Sequence, residues 1–224
     1  MSSISKSGNP MPASRTRVVR EPHLGVYDRE TVNQILDEGL ICHVGFLAEG
    51  QPYVIPTLYG RDGNALYVHG SVASRMLRNL GQGLPVCVTV TLIDGLVLAR
   101  SVFNHSMNYR SVVILGTATL VDDPKEKLAA LRAVSEHAIP RRWDDARPPV
   151  EKELKVTSVL KIPIEEFSAK VRVGPPIDDE ADLPFPTWAG VLPFEIKTGA
   201  PIPDEGCQRE FPEYLKNYSR KKKA

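Results

Sequence analysis

Tyr67-Val68-His69-Gly70-Ser71-Val72-Ala73-Ser74-Arg75 is the stretch whose reading decides the rest of this chain. A β-branched and aromatic run ends at His69, a glycine turns the backbone, and a short helix is predicted from about Ala73 to Leu80, closed by Gly81. Met76, Leu77 and Leu80 form its apolar face. Free backbone N–H groups at such a turn attract anions, and the hydroxyls of Ser71 and Ser74 add donors. A helix start ordinarily favours acidic side chains. Arg75 stands there with no acid beside it, so the segment points to an external anion, which a guanidinium grips through two parallel bonds.

Outward from this segment the chain reads as β-structure. Leu40–Leu47 and Tyr53–Tyr59 are predicted strands joined at Glu49-Gly50, with Pro52 and Pro56 marking missing ladder donors. Asp62-Gly63-Asn64 is a tight-turn signal before the strand Ala65–His69. Connections this short require antiparallel neighbours. Further strands are predicted at Leu84–Ile93, Leu96–Val102, Ser111–Val121, Val156–Ile162 and Phe167–Val173. Asp28 and Asp123-Pro124 are helix starts, the first helix ending at Gly39 and the second running to about Ala138. Strands without βαβ alternation imply a mainly β fold with short helices, an antiparallel barrel. The predicted organisation is a loose N-terminal arm over 1–25, one barrel domain over 26–174, and an extended arm over 175–224. Between Pro175 and Pro212 lie 8 of the 19 prolines, which forbids continuous helix or central strand there. The arm's apolar residues, such as Phe185, Trp188 and Leu192, need a surface, on the same barrel or on a partner.

Composition removes several classes. The 224 residues suit one domain with extra segments. Lys and Arg number 28 against 27 Asp and Glu; without Arg220, Lys221, Lys222 and Lys223 the balance is 24 against 27, or −3. A body this mildly acidic offers no field for nucleic acid. The basic end is expected to be solvated and frayed. Three cysteines with no CxxC spacing argue against a disulfide framework or a zinc site, and no metal site is expected. No apolar stretch approaches the roughly 20 residues of a membrane span, and no signal-like segment opens the chain, so a cytoplasmic location is expected. Gly81-Gln82-Gly83 precedes a strand and lacks a third glycine, so it is no Rossmann motif.

Three pieces in order carry a family resemblance: Val54-Ile55-Pro56-Thr57, the YVHGSVASR segment, and Tyr109-Arg110-Ser111-Val112-Val113 leading to Gly116. Over roughly residues 28–173 the chain resembles the FMN-binding split-barrel family, which includes the pyridoxamine 5′-phosphate oxidases and, closer here, the nitroimidazole-resistance proteins. The resemblance implies a Greek-key split β-barrel, a bound FMN, and a homodimer with flavin at the subunit interface. It implies that Val54, Ile55, Pro56 and Thr57 lie along the flavin ring, and that His69 and Gly70 approach the ribityl-phosphate. Ser71, Ser74 and Arg75 would bind the phosphate, and Arg110 and Ser111 the pyrimidine end. The chain departs from the oxidases at Met76, where they carry a lysine, and at the substrate lysine near Tyr59. No catalytic side chain is identified; His69 and Tyr109 are the nearest titratable groups.

The resemblance implies one of two functions. One is an FMN-dependent oxidoreductase acting on a small molecule, nitro- or quinone-like, with NAD(P)H or the substrate as donor. The other is a flavin or haem carrier without turnover, with FAD or haem as the alternative cofactor and His69 or His105 as the axial ligand. A third reading, an interaction protein acting through its arm, has less physical support.

Overall fold

The computed structural model describes residues 15–220; residues 1–14 of the predicted N-terminal arm and the run Lys221–Lys223 lie outside the described residues. In chain order the elements are β1 (Gly25–Val26), α1 (Arg29–Glu38), β2 (Ile41–Ala48), β3 (Gln51–Leu58), β4 (Gly60–Asp62), β5 (Ala65–Ser71), α2 (Arg75–Leu80), β6 (Pro85–Leu98), β7 (Ser106–Thr117) and β8 (Thr119–Leu120). They continue with α3 (Pro124–Ala138), α4 (Arg142–Asp145), α5 (Glu151–Lys155), β9 (Thr157–Pro163), β10 (Glu166–Arg172) and β11 (Gly190–Pro193). One sheet has the order β1-β10-β7-β6-β2-β3, with β11 added to β6; the other has the order β4-β5-β9-β8. Every pairing is antiparallel. This is the mainly β split barrel expected from the sequence.

Alternation builds the core. Cys42, Val44, Phe46 and Ala48 of β2 are buried while Ile41, His43 and Leu47 are exposed, the period-two pattern of a strand with one buried face. Val86, Val88 and Val90 of β6 and Val112 and Ile114 of β7 meet them inside, with Val32, Ile35 and Leu36 of α1 and Leu77 and Leu80 of α2. The buried face of β7 reads poorly at its start, where polar Asn108 stands in the pattern. β5 is buried on both faces: Leu66 and Val68 join the barrel core, and Ala65 and Tyr67 pack under Ala130 and Val134 of α3. α3 lies directly on β4, where a Cβ on Gly60 would stand 2.5 Å from the Val134 nitrogen. Asp28 and Asp123 cap α1 and α3 as predicted, accepting from Thr31 N and from Lys125 N and Glu126 N.

Several boundaries differ from the expectation. The two strands predicted over Leu84–Val102 are one strand, β6, with a bulge at Asp94 that shifts its register against β7 between Ile93 and Gly95. The polar stretch from Ser106 to Arg110, outside the predicted strands, is the first part of β7, because its partners on β6 and β10 satisfy its backbone. Two short helices, α4 and α5, bridge α3 to β9. The described part of the N-terminal arm is not loose. Arg15 pairs with Glu166, Thr16 is buried, and Lys170 donates to Arg20 O. The proline-rich arm adds β11 to its own barrel, Val191 opposite Val97, and its start is tied by Asp178 to the Arg100 side chain and backbone.

The end of that arm is a second correction, because Arg220 is not frayed. The last carbonyls of α1 lack intrahelical donors, and three distant elements supply them. The Tyr59 hydroxyl donates to Leu36 O, His137 Nε2 lies 2.7 Å from Gly39 O, and Arg220 donates to Asp37 O, Glu38 O and Gly39 O. Arg220 also reaches His137 O. A cation at a helix C-terminus meets the negative end of the helix dipole. Burial and the Arg220 charge hold the His137 imidazole down to about 4, so it is neutral in the fold and protonates on unfolding below its ordinary value of about 6.5. The unfolded chain therefore binds more protons between these values, and stability falls as pH drops through them. Urea denaturation from pH 7 to pH 4 is expected to show this loss, on the order of 2–3 kcal/mol from this one group. In His137→Gln the loss over the same range is expected to be smaller, and an unchanged slope would contradict the assignment.

Candidate functional site

β3 is the outermost strand of its sheet, paired only with β2. Its other edge therefore presents backbone groups with no strand partner, and the prolines at 52 and 56 sit where an edge tolerates them. Register separates its side chains. Tyr53, Ile55 and Thr57 stand opposite Phe46, Val44 and Cys42, so they share the barrel-side face. Val54, Pro56 and Leu58 stand opposite Gly45, His43 and Ile41 and share the outer face. Val54 and Leu58 remain exposed there.

Arg75 lies on the barrel side of this edge. Its guanidinium donates to the Tyr53 hydroxyl at 2.7 Å and sits 5.2 Å from the centre of that ring. Tyr53 in turn stacks on Phe46 with ring centres 5.6 Å apart. The arginine is thus oriented by an aromatic pair and by no carboxylate; among the described residues it has no ion-pair partner. Ser74 is the N-cap of α2, but its hydroxyl makes no capping bond, and α2 has six residues only. The Ser71 hydroxyl is near Ala73 N at 3.2 Å. Gly70 faces α2, where a Cβ would stand 3.1 Å from the Leu77 side chain. A glycine there lets the helix close on the strand.

His69 does not join this group. Alternation along β5 puts it on the face of Ala65 and Tyr67, away from Gly70 and α2. Its Nδ1 is buried and has no hydrogen-bond partner, and burial lowers its pKa. His105 differs, with Nε2 3.2 Å from Ala99 O.

Arg110 and Ser111 are also apart from Arg75, and from each other. Arg110 turns toward the barrel end, where it makes paired bonds to Glu38 of α1 and to Asp94 of the β6 bulge. These bonds hold its guanidinium charged and occupy its donors, so the structure does not offer Arg110 to a ligand as the resemblance implied. Ser111 stands on the outer face, opposite Thr91 of β6 and Lys170 of β10. Gly70, Ser71, Ser74 and Arg75 thus stand at one strand-to-helix turn, linked to β3 through the Arg75–Tyr53 bond, with Ile55 and Thr57 on the same face of β3 as Tyr53 and with Val54, Pro56 and Ser111 on the other face of the sheet.

Sequence reasoning missed five residues. A polar concavity of about 520 Å³ adjoins Arg75 and is lined by Glu49, Tyr53, Arg78, Asn79 and Gln82. Arg78 was legible in principle, three residues after Arg75 and so on the same helix face. Glu49, Asn79 and Gln82 carried no signal until a turn and a helix end met. Of the cysteines, Cys42 is a core residue whose thiol burial pushes up to about 12. Among the described residues no group of three or more potential metal ligands assembles, and no helix is long and apolar enough to cross a membrane.

Comparison places this geometry among known proteins. Residues 28–171 match the pyridoxamine 5′-phosphate oxidase family. Flavocytochrome Anf3 of Azotobacter vinelandii is 43% identical, with 91% of this chain and 96% of that one covered and a TM-score of 0.86. The FAD and heme binding protein of Mycobacterium smegmatis is 33% identical, covering 86% and 95%, with a TM-score of 0.82. A Bacteroides thetaiotaomicron structure described in terms of 5-nitroimidazole antibiotic resistance is 26% identical over 66% of this chain and 86% of that one, TM-score 0.54. A search of curated proteins finds no match.

Proposed function

The chain belongs to the pyridoxamine 5′-phosphate oxidase family, and on that footing we propose that it is a flavin-binding redox protein whose cofactor phosphate is held by Arg75. The observation that carries this reading is a guanidinium oriented by Tyr53, without an acidic partner, beside the unpaired edge of β3. The names of two similar proteins, a flavocytochrome and a FAD and heme binding protein, support it. When bound, a flavin supplies hydride and electron transfer, and the protein supplies position and electrostatics.

The chain's own residues divide that work. Arg75, with the Ser71 and Ser74 hydroxyls, binds the phosphate of FMN or FAD. The backbone of Val54 to Thr57 offers donors and acceptors to the polar edge of the ring. Tyr53 fixes the Arg75 side chain before any ligand arrives, which lowers the ordering cost of binding. Ser111 cannot reach the same flavin from the same chain, since it lies on the opposite face of the sheet. A homodimer solves this: Ser111 of one copy would meet the flavin held by the other. The outer face is suited to such burial, with Ile41, Leu47, Val54, Leu58 and Ile93 all exposed. A small-molecule acceptor and NAD(P)H as donor complete the oxidoreductase reading. A flavin that NAD(P)H fails to bleach would favour the carrier.

A second reading concerns haem. His69 carries a buried ring nitrogen without a partner, on the face of β5 turned away from the flavin corner, which suits an axial ligand better than His105 does. We infer that a haem, where present, is ligated by His69 at a place separate from the flavin.

Three outcomes test these readings. A charge-assisted bond is worth about 1.5–3 kcal/mol, and about 1.4 kcal/mol is tenfold. Arg75→Ala is therefore expected to weaken FMN roughly tenfold to a hundredfold while riboflavin, lacking the phosphate, stays nearly unchanged; equal losses in a fluorescence titration would refute the role. Ile41→Asp is expected to give monomers by sedimentation and to lose flavin with them, whereas monomers retaining flavin would remove the interface argument. If purified protein shows a Soret band, His69→Ala is expected to abolish or shift it and leave the flavin absorption in place. A Soret band unmoved by that change would sink the His69 assignment.

A further inference from the structure

We propose that Arg78 selects a dinucleotide flavin over the mononucleotide, by holding the second phosphate of a pyrophosphate whose first phosphate lies on Arg75. The inference rests on the flavin reading of the Arg75 corner and adds to it the chemistry of the space next door. That space is about 520 Å³. At about 30 Å³ per water it holds well over ten waters, more than a single phosphate end-group displaces.

Its lining is arranged for a longer ligand. Arg75 and Arg78 are three residues apart on α2, so their Cβ atoms are neighbours on one helix face, about 5–6 Å apart. Two like charges so placed disfavour the helix unless an anion lies between them. Neither has an ion-pair partner among the described residues. Seven arginines elsewhere, Arg15, Arg61, Arg100, Arg110, Arg132, Arg142 and Arg147, do meet a carboxylate; here two unpaired ones stand side by side on one concavity. One guanidinium, oriented by Tyr53, is enough for a phosphate monoester. The second is accounted for by a second phosphate, whose separation from the first along a pyrophosphate falls within the reach of two flexible side chains.

The rest of the concavity suits the nucleoside beyond that pyrophosphate. Glu49, at the β2–β3 turn, lines the space and makes no ion pair among the described residues. A carboxylate in that position repels a further anion but accepts hydrogen bonds from ribose hydroxyls, the use to which dinucleotide sites put an acidic residue. The Asn79 amide is held by its bond to Arg75 O at 2.8 Å, and Gln82 adds a free amide. These groups are neutral or acidic, as a ribose and a base require, and the positive charge is confined to the two arginines.

Titration of apoprotein with FAD, FMN and riboflavin, followed by flavin fluorescence, tests the proposal. The wild-type chain is expected to bind FAD more tightly than FMN. Arg78→Ala is expected to weaken FAD tenfold to a hundredfold while FMN changes by less than about threefold, and Arg78→Glu to weaken FAD further. Equal losses of FMN and FAD would overturn the proposal by making Arg78 a second cation for one phosphate, and so would an unchanged FAD affinity. Failure of the flavin reading itself looks different: the wild-type chain binds none of the three, or Arg75→Ala leaves all three unaltered.

Discussion

The pleat of the first sheet governs everything this protein can do with a ligand. Side chains on a strand alternate between faces, and a sheet one strand thick cannot present both faces to one molecule. Tyr53, Ile55 and Thr57 accordingly face the barrel side with Arg75, while Ser111 looks outward beside Thr91. The phosphate corner and the proposed ring-binding serine are therefore half-sites that face different directions. The proposed homodimer would join them, and the exposed apolar side chains of the outer face would give that assembly a driving force.

Charge placement follows the same division. Several arginines are absorbed by the fold. Arg61 is clamped by Asp37 and Arg110 by Glu38 and Asp94, and Arg220 by the carbonyls at the end of α1. Such half-buried groups sit with their partners because an unpaired charge away from water is costly. Arg75 and Arg78 are exempt because they line a wet concavity, where a guanidinium stays hydrated until an anion replaces the water.

The junction at the end of α1 shows how the extra segments serve the barrel. Tyr59, His137 and Arg220 come from positions far apart in the chain and converge on four consecutive carbonyls. The proline-rich arm, anchored at Asp178 and β11, is drawn across to this point and ends as part of the helix cap. The same α1 carries Glu38, whose carboxylate orients Arg110 and whose carbonyl accepts from Arg220, so one residue links the described end of the arm to the network that holds β7 to the β6 bulge.

Much of this was legible in the chain. Turn signals at Glu49-Gly50 and Asp62-Gly63-Asn64 marked β2, β3 and β5, capping aspartates marked α1 and α3, and short turns required antiparallel pairing. The strand–glycine–serine–arginine segment marked the turn from β5 into α2, because local chemistry alone decides where a chain turns and which donors a turn exposes. The sequence could not say that Ser106–Arg110 is strand, that Arg110 is consumed by Glu38 and Asp94, or that Arg220 caps a helix. Nor could it say that Arg78, Glu49 and Gln82 share a cavity. Those facts depend on partners tens to nearly two hundred residues away. Local propensity is written in neighbouring residues, but hydrogen-bond and charge partners across space are chosen only when the sheets close.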